Sequence, residues 1–488
     1  MNRLSALAFL LSLLSISVVA EPAKPTHPNI LFLFTDDQRF DTVRSLGNAD
    51  IQTPNIDRLV KRGTTFTNAY IMGGTSPAVC SPSRAALFSG KTLFNLPNQG
   101  KFGFEIPETI PTLPENFRNN GYTTFATGKN EPGIKGHFAR SFSDAEHILF
   151  KGMTRSQYIL PLREFTPDGN YQKQKPITHK GTHSDVMYAD ACIRFLERQE
   201  TTTNKPFFAY VAFQTPHDPR QSPPEYGELY PREKMKLPPN YLPEHPFDNG
   251  MLRIRDENLA PFPRTEEIVQ KHLSDYYACI THTDAQIGRI IEALEKIGKL
   301  ENTVIVFTAD NGLAIGSHGL MGKQNVYDHS VHVPFVIAGP GIPQNEKRDH
   351  LIYIYDINPT LCELAGVPTP ETVQYKSFLP VLEDAKAKHR DHLFFAFMSW
   401  QRAIFDGKYK LIEYCVEGNR TTQLFDLSAD PHEINNLASE PEHSQDLKRL
   451  RTLLESEKKR LNDGDAGQEF TDAQGKAFWD SYLTTEGR

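Results

Sequence analysis

The 488-residue chain is poor in several of the features that usually reveal a function. Its five cysteines, Cys80, Cys192, Cys279, Cys362 and Cys415, are too few and too scattered for a disulfide scaffold. The odd count sets one of them apart, and Cys80 is the candidate. No C-x-x-C or H-E-x-x-H pattern points to a zinc or dithiol site. There is no excess of positive charge: 53 Lys and Arg stand against 60 Asp and Glu, a formal net charge of -7. That argues against a nucleic-acid partner but leaves room for a local basic pocket around a small anion. Internal repeats, low-complexity tracts and long linkers are missing. Beyond the N terminus no apolar run is long enough to cross a bilayer.

The N terminus, MNRLSALAFLLSLLSISVVAEPA, has a positive start at Arg3, an apolar run over residues 4–19 and a small-residue cleavage site at Val18-Val19-Ala20. It reads as a secretory leader over 1–20, with the mature chain starting at Glu21. The expected product is secreted or periplasmic and has no membrane partner.

Buried-strand runs alternate with segments of helical period. NILFLFTDD (29–37), YTTFATGK (122–129), PFFAYVAFQTPH (206–217), TVIVFTADNG (303–312) and VPFVIAGPG (333–341) read as strands. TPNIDRLVKRG reads as a helix capped by Thr53, with Pro54 first and Gly63 as terminator, and residues 272–300 read as a long helix. The pattern predicts an α/β fold with a mostly parallel sheet covered by helices on both faces. Residues 219–263 are proline-rich and read as a long surface loop, the kind that tends to be functional. After residue 375 short strands follow closely (HLFFAFMS, RAIFD, KYKLIEYC, TTQLFDL), and a charged helix covers 440–461. The expected division is 21–375 for a catalytic α/β domain and 376–488 for a smaller C-terminal subdomain with an antiparallel sheet and a helix.

Ligands in open α/β sheets bind beyond the carboxyl ends of the strands. Four strands deliver candidates there: Asp36 and Asp37, Lys129, His217, then Asp310 and Asn311. Each pair alone is commonly a turn or a helix cap, but the four together exceed turn chemistry. Three carboxylates and an amide oxygen form a hard oxygen shell suited to Ca²⁺, or less well Mg²⁺. A divalent cation also relieves the repulsion among the carboxylates. Arg84, Lys129, His217 and Lys323 would then surround a tetrahedral anion. In PAVCSPSRAALFSG, Ser81 is the expected N-cap, Pro82 the first helical residue and Gly90 the stop, which puts Cys80 just outside a helix N terminus.

CSPSRAALFSG carries the C-x-P-x-R signature and resembles the type I sulfatases of the alkaline phosphatase superfamily. NILFLFTDDQRFD, GYTTFATGK, PFFAYVAFQTPHDP, VIVFTADNG, HGLMGKQNVYDHSVHVPFVI and DPHEINNLA are similar to that family in its order, over about residues 28–440. The resemblance implies that a maturation enzyme oxidises Cys80 to formylglycine (3-oxoalanine), whose hydrated aldehyde attacks sulfur and afterwards expels sulfate. It implies a calcium held by Asp36, Asp37, Asp310, Asn311 and residue 80. Arg84 would pair with the diol, Lys129 and Lys323 would bind sulfate oxygens, and His217 would be the general acid. His318 would line the same pocket.

One departure concerns the histidine that the family usually carries two residues after the strand-end lysine. Glu131 stands there, and either it or His137 is the candidate base for elimination. The expected substrate is a sulfated carbohydrate, with Arg220, Arg253, Arg255, Trp400 and Arg402 as candidate sugar contacts. The competing functions are phosphonate monoester or phosphodiester hydrolysis, and an inactive exported glycan-binding homologue.

Overall fold

A computed structural model describes residues 27–96, 106–130, 135–171, 173–202, 205–254 and 256–463. The leader, Glu131, Arg255 and the chain after 463 lie outside these described residues. Within them the strands are β1 (Asn29–Thr35), β2 (Gly63–Tyr70), β3 (Gly73–Gly74), β4 (Thr123–Lys129), β5 (Asp144–Leu149), β6 (Ile159–Leu162), β7 (Ile177–Lys180), β8 (Phe207–Ala212), β9 (Thr303–Ala309), β10 (Phe335–Ala338), β11 (Glu346–Tyr353), β12 (Leu393–Phe397), β13 (Gln401–Phe405), β14 (Tyr409–Val416) and β15 (Asn419–Asp426).

Eight strands make one sheet in the order β11-β2-β10-β9-β1-β8-β4-β5. The neighbours β9, β1, β8, β4 and β5 all run parallel, and β10 is antiparallel to β9 and β2. Every residue of β1 is buried, because helices cover both faces. The two-residue period sends Ile30, Phe32 and Phe34 into one apolar core and Leu31 and Leu33 into another. The second core is closed by Ile56, Leu59 and Val60 of the helix Pro54–Arg62 and by Ile287, Ile290, Ile291 and Leu294 of the helix Glu266–Lys296. That long helix starts earlier than the periodicity suggests, since Thr265 caps it and Glu266 and Glu267 favour its N terminus. Gly63 does not stop its helix with a left-handed turn. Its φ of -140° is extended, and it opens β2, where a Cβ would fall 2.1 Å from the Ile337 carbonyl of β10.

The C-terminal sheet has the order β15-β14-β13-β12-β3 and is antiparallel except where β3 joins β12. Since β3 belongs to the N-terminal part, the second sheet is stitched to the first. One apolar core runs from Ile30 of β1 to Leu454 of the helix Ser444–Arg460. The proline-rich segment also departs from expectation. Tyr230, Met235, Met251 and Ile254 are buried, so it is packed in part into the body of the protein.

Two expected sugar contacts are corrected here. Trp400 is 4% exposed, and its ring fills the space where a Cβ on Gly250 would fall 2.6 Å away. Arg402 donates from Nε and Nη2 to Asp463 at 2.5 and 2.8 Å and from Nη1 to the Met398 carbonyl at 2.6 Å. With side chains 12% and 0% exposed, this pair latches the end of the last helix to β13. Removing one partner of a buried ion pair strands the other charge. Arg402→Ala is therefore expected to cost about 3 kcal/mol and to lower the denaturant midpoint while KM for a sugar sulfate stays unchanged. A raised KM at unchanged stability would restore the sugar-contact role.

Candidate active site

The strand register delivers the site. Thr35 of β1 pairs with Ala309 of β9, Phe34 pairs with Ala212 of β8, and Ala212 pairs with Gly128 of β4. One step further along come Asp36 and Asp310 on adjacent strands about 4.8 Å apart, and Lys129 on β4, which lies two strands from β1 across β8. Asp36 N donates to the Thr215 carbonyl at 3.2 Å and Asp310 N to the Thr35 carbonyl at 3.1 Å, which fixes both turns. At Gly128, with φ +94°, a Cβ would lie 2.0 Å from the Ala212 carbonyl, so only glycine lets Lys129 enter from this register.

Cys80 opens the helix Cys80–Ser89 and is followed one turn later by Arg84 on the same face. The helix begins earlier than expected. Val79 is its N-cap and Cys80 its first residue, so Ser81 lies inside the helix rather than capping it. Pro82 is tolerated in the first turn because the N–H it lacks has no intrahelical partner there. Gly90 ends the helix in the left-handed region, as expected.

Arg84 is fully buried. Its Nε donates to Asp310 at 2.9 Å, Nη2 lies 3.4 Å from Asp36, and Nη1 donates to the Lys129 carbonyl at 3.0 Å. Lys129 forms an ion pair with Asp36, and its Nζ lies 4.0 Å from Cys80 Sγ. Lys323 forms an ion pair with Asp37 and sits 3.8 Å from Asp36. His217 Nδ1 faces the Asp218 carbonyl at 2.9 Å, and Nε2 lies 3.8 Å from Asp37. Since a carbonyl only accepts, Nδ1 carries a proton and Nε2 is the nitrogen turned to the cluster.

Burial raises the Asp36 carboxyl, but Lys129, His217, Lys323 and Arg84 outweigh it and hold the group well below the usual carboxylate range. Burial, then Asp36, pushes Asp310 up to about 6 against the pull of Arg84 and the lysines. For Lys323 burial works against the charge, yet Asp37, Cys80 and Asp36 carry it well above an ordinary lysine.

The donor set fits a hard cation. Asp36 Oδ1 and Asn311 Oδ1 are buried acceptors without a hydrogen-bond partner. Asn311 Nδ2 is already committed to Asp37 and to the Gly312 carbonyl, at 2.7 and 2.9 Å. Donor atoms of Asp36, Cys80 and Asp310 lie within 4.8 Å of one another, as do those of Asp36, Asp37 and His217. Asp36, Asp37, Asp310 and Asn311 would hold the ion.

Other expected residues fall elsewhere. His318 does not line this cluster: its Nε2 faces the Glu433 carbonyl at 2.9 Å and its ring stacks on Tyr327 at 4.0 Å. Burial lowers its pKa to about 3, as suits a neutral packing group. His137 is no candidate base. It packs against Phe88, its Nδ1 accepts from Ile106 N, and burial, then Arg140, lowers its pKa to about 3. Arg220 is half-buried in the segment that carries His217 and donates from Nη1 to His272 Nδ1 at 2.8 Å. Arg253 is exposed and lies over the Phe262 ring.

Sequence reasoning missed the groups that hold the site in shape. Glu257, from the proline-rich segment, accepts from Met321 N and Gly322 N at 2.9 and 2.8 Å and is paired with buried Arg264, which fixes the turn before Lys323. Buried Asp185 accepts from the hydroxyls of Thr215 and Thr283, and Gln157 Nε2 donates to the His217 and Pro219 carbonyls at 3.3 Å. Proline content hid the first group, and no local pattern marks the second.

The sequence profile described as Sulfatase matches residues 28–367, and that of the N-sulphoglucosamine sulphohydrolase C-terminal region matches residues 316–460. An N-acetylglucosamine-6-O-sulfatase of Bacteroides thetaiotaomicron is 28% identical, over 96% of this chain and 93% of its own length. A solved structure of a protein in complex with its substrate D-glucosamine-2-N,6-O-disulfate superposes with a TM-score of 0.72 at 25% identity, covering 91% of this chain and all of the other. The phosphonate monoester hydrolase of Agrobacterium radiobacter shares the fold at a TM-score of 0.68 and 22% identity, over 87% of this chain and 96% of that one. With the profile covering well over half its length, the chain belongs to the sulfatase family.

Proposed function

We propose that this sulfatase is an exported enzyme that hydrolyses a sulfate ester on a sugar, using formylglycine made from Cys80 by a maturation enzyme, together with calcium. One observation carries the reading. Asp36, Asp37, Asp310, Arg84, Lys129, Lys323 and His217 close into a single buried cluster at the Cys80 end of its helix. The sulfated amino sugars named for the glucosamine sulfatase and for the substrate complex support a carbohydrate as the alcohol component. The leader at 1–20 supports export.

A hydrated aldehyde at residue 80 supplies an oxygen nucleophile whose second hydroxyl permits release of sulfate by C–O cleavage. A bound divalent cation supplies charge neutralisation and acidifies an oxygen ligand. The chain's own groups do the rest. Arg84 keeps a negatively charged oxygen at residue 80 in place, and Lys129 and Lys323 turn from their aspartates to sulfate oxygens. His217, carrying a proton on each ring nitrogen, gives the one on Nε2 to the leaving alcohol. Glu131, two residues past Lys129 in sequence, takes the proton from the sulfated diol.

Three measurements test this. Sulfate release from defined sulfated sugars is expected to exceed phosphate release from the matched sugar phosphates or phosphonates by about 100-fold or more in kcat/KM, roughly 2.7 kcal/mol of discrimination. The reverse preference would make the chain a phosphonate or phosphodiester hydrolase. Asp310→Asn removes one anionic oxygen ligand. It is expected to lose bound metal by elemental analysis and to slow turnover by roughly 100-fold or more; normal metal content would remove the strand-end carboxylates from the ligand set. Glu131→Gln is expected to give a burst of desulfated sugar, then a slow phase, with sulfated residue 80 trapped and visible by mass spectrometry. Turnover at the parent rate with nothing trapped would pass that role to another group.

A further inference from the structure

At the far edge of the large sheet, strands β6 and β7 form a two-stranded ribbon joined to β5 through the bridge between Ile148 and Arg163. Three segments each bring one metal-binding side chain there: His147 from β5, Glu164 from just after β6, and His179 from β7. One donor atom of each lies within 4.8 Å of the other two. His147 Nδ1 is 3.3 Å from Glu164 Oε1, and the two imidazole rings meet edge to face with centroids 5.1 Å apart. Ligand atoms around a tetrahedral ion at about 2.1 Å stand roughly 3.4 Å apart. The His147–Glu164 pair already has that spacing.

Three further observations set this cluster apart from an ordinary surface ion pair. His179 Nε2 is buried and has no hydrogen-bond partner, a costly state for an imidazole nitrogen. His147 Nε2 lies 3.5 Å from Glu146, a carboxylate that Arg194 also holds, so a negative group stands behind the imidazole on the side away from Glu164. And β4 skips His147: Thr127 pairs with Glu146 and Gly128 with Ile148, leaving His147 as a bulge residue at φ +55°. Bulges re-aim a side chain, here beside the ribbon. The buried trio His183, Asp185 and His282 makes a useful contrast. There His183 spends both nitrogens, Nδ1 on Asp185 N and Nε2 on the Gln221 carbonyl, so no lone pair is left for an ion.

We propose that His147, Glu164 and His179 form a second metal site of the zinc class, which fastens the β6–β7 ribbon to the sheet edge. Two imidazoles and one carboxylate suit Zn²⁺, with water completing four-coordination, whereas the all-oxygen cluster at Asp36 and Asp310 suits a hard cation. The site also protects an edge strand by holding a cover over it. It does not rest on the sulfatase chemistry.

The test is a Zn²⁺ titration of the full chain in saturating Ca²⁺, read by calorimetry, by zinc content after desalting and by the thermal midpoint. One equivalent is expected to bind, with a Zn²⁺-dependent rise in the midpoint. Glu164→Gln, at a half-buried position, and His179→Gln are each expected to weaken zinc binding by about 100-fold or more and to abolish that rise. Sulfate release in Ca²⁺ should be unchanged in both. No bound equivalent in the parent at roughly 100 μM zinc, or parent-like binding in both variants, would overturn the site.

Discussion

Like-charge crowding governs this molecule. Asp36, Asp37 and Asp310 are buried within reach of one another, and each pair of carboxylates about 5 Å apart repels by roughly 3 kcal/mol at an effective dielectric of 20. No fold tolerates that unless cations of matching number are buried with them. Arg84, Lys129 and Lys323 meet the need, so three negative groups face three positive ones in direct contact. Of the two neighbouring aspartates, Asp36 is held low by the cations around it, while burial and then Asp36 push Asp310 up to about 6.

The sheet exists, functionally, to impose that crowding. Parallel strands present all their carboxyl ends on one edge, so consecutive neighbours β9, β1, β8 and β4 aim their terminal groups at one point. The cations need more than register. Arg84 comes on a helix that Tyr355 and Asn358 fasten through Ser83 and the Leu87 carbonyl. Lys323 sits on a turn clamped by Glu257, whose own carboxyl is raised by burial and stays bonded to two backbone N–H groups and Arg264. Such clamps keep the lysines from relaxing toward solvent, which in turn keeps the aspartates from doing so.

What could be read from the chain follows the same division. Apolar runs ending in charged pairs are local, so the five central strands, the long helix and the strand-end residues Asp36, Asp37, Lys129, His217, Asp310 and Asn311 were legible. The four C-terminal strands were too, because alternation and turn spacing are short-range signals. Asp185, Gln157 and Glu257 were not. Each acts on a partner far away in sequence, and a buried glutamate in a proline-rich stretch looks like a surface residue until its partners are known. Trp400 and Arg402 misled for the opposite reason. An aromatic and a cation side by side suggest a sugar platform, but Gly250 and Asp463, which occupy them, lie 150 residues before and 61 residues after.

Charge balance also accounts for the chemistry that the cluster admits. With three cations matched to three anions, the site is neutral before substrate arrives. A sulfate ester adds one negative charge and inorganic sulfate two, and the buried lysines can turn to them only if something else answers their aspartates. Asp36 Oδ1 and Asn311 Oδ1, buried acceptors without donors, would hold a divalent cation that supplies this charge. Lys129 and Lys323 would then be able to turn toward the anion without leaving a bare carboxylate behind. The oxygens that a metal would take and the nitrogens that sulfate would take are therefore two halves of one ledger. A chain that lost either would leave buried charge uncompensated, which makes the site's stability and its function the same electrostatic problem.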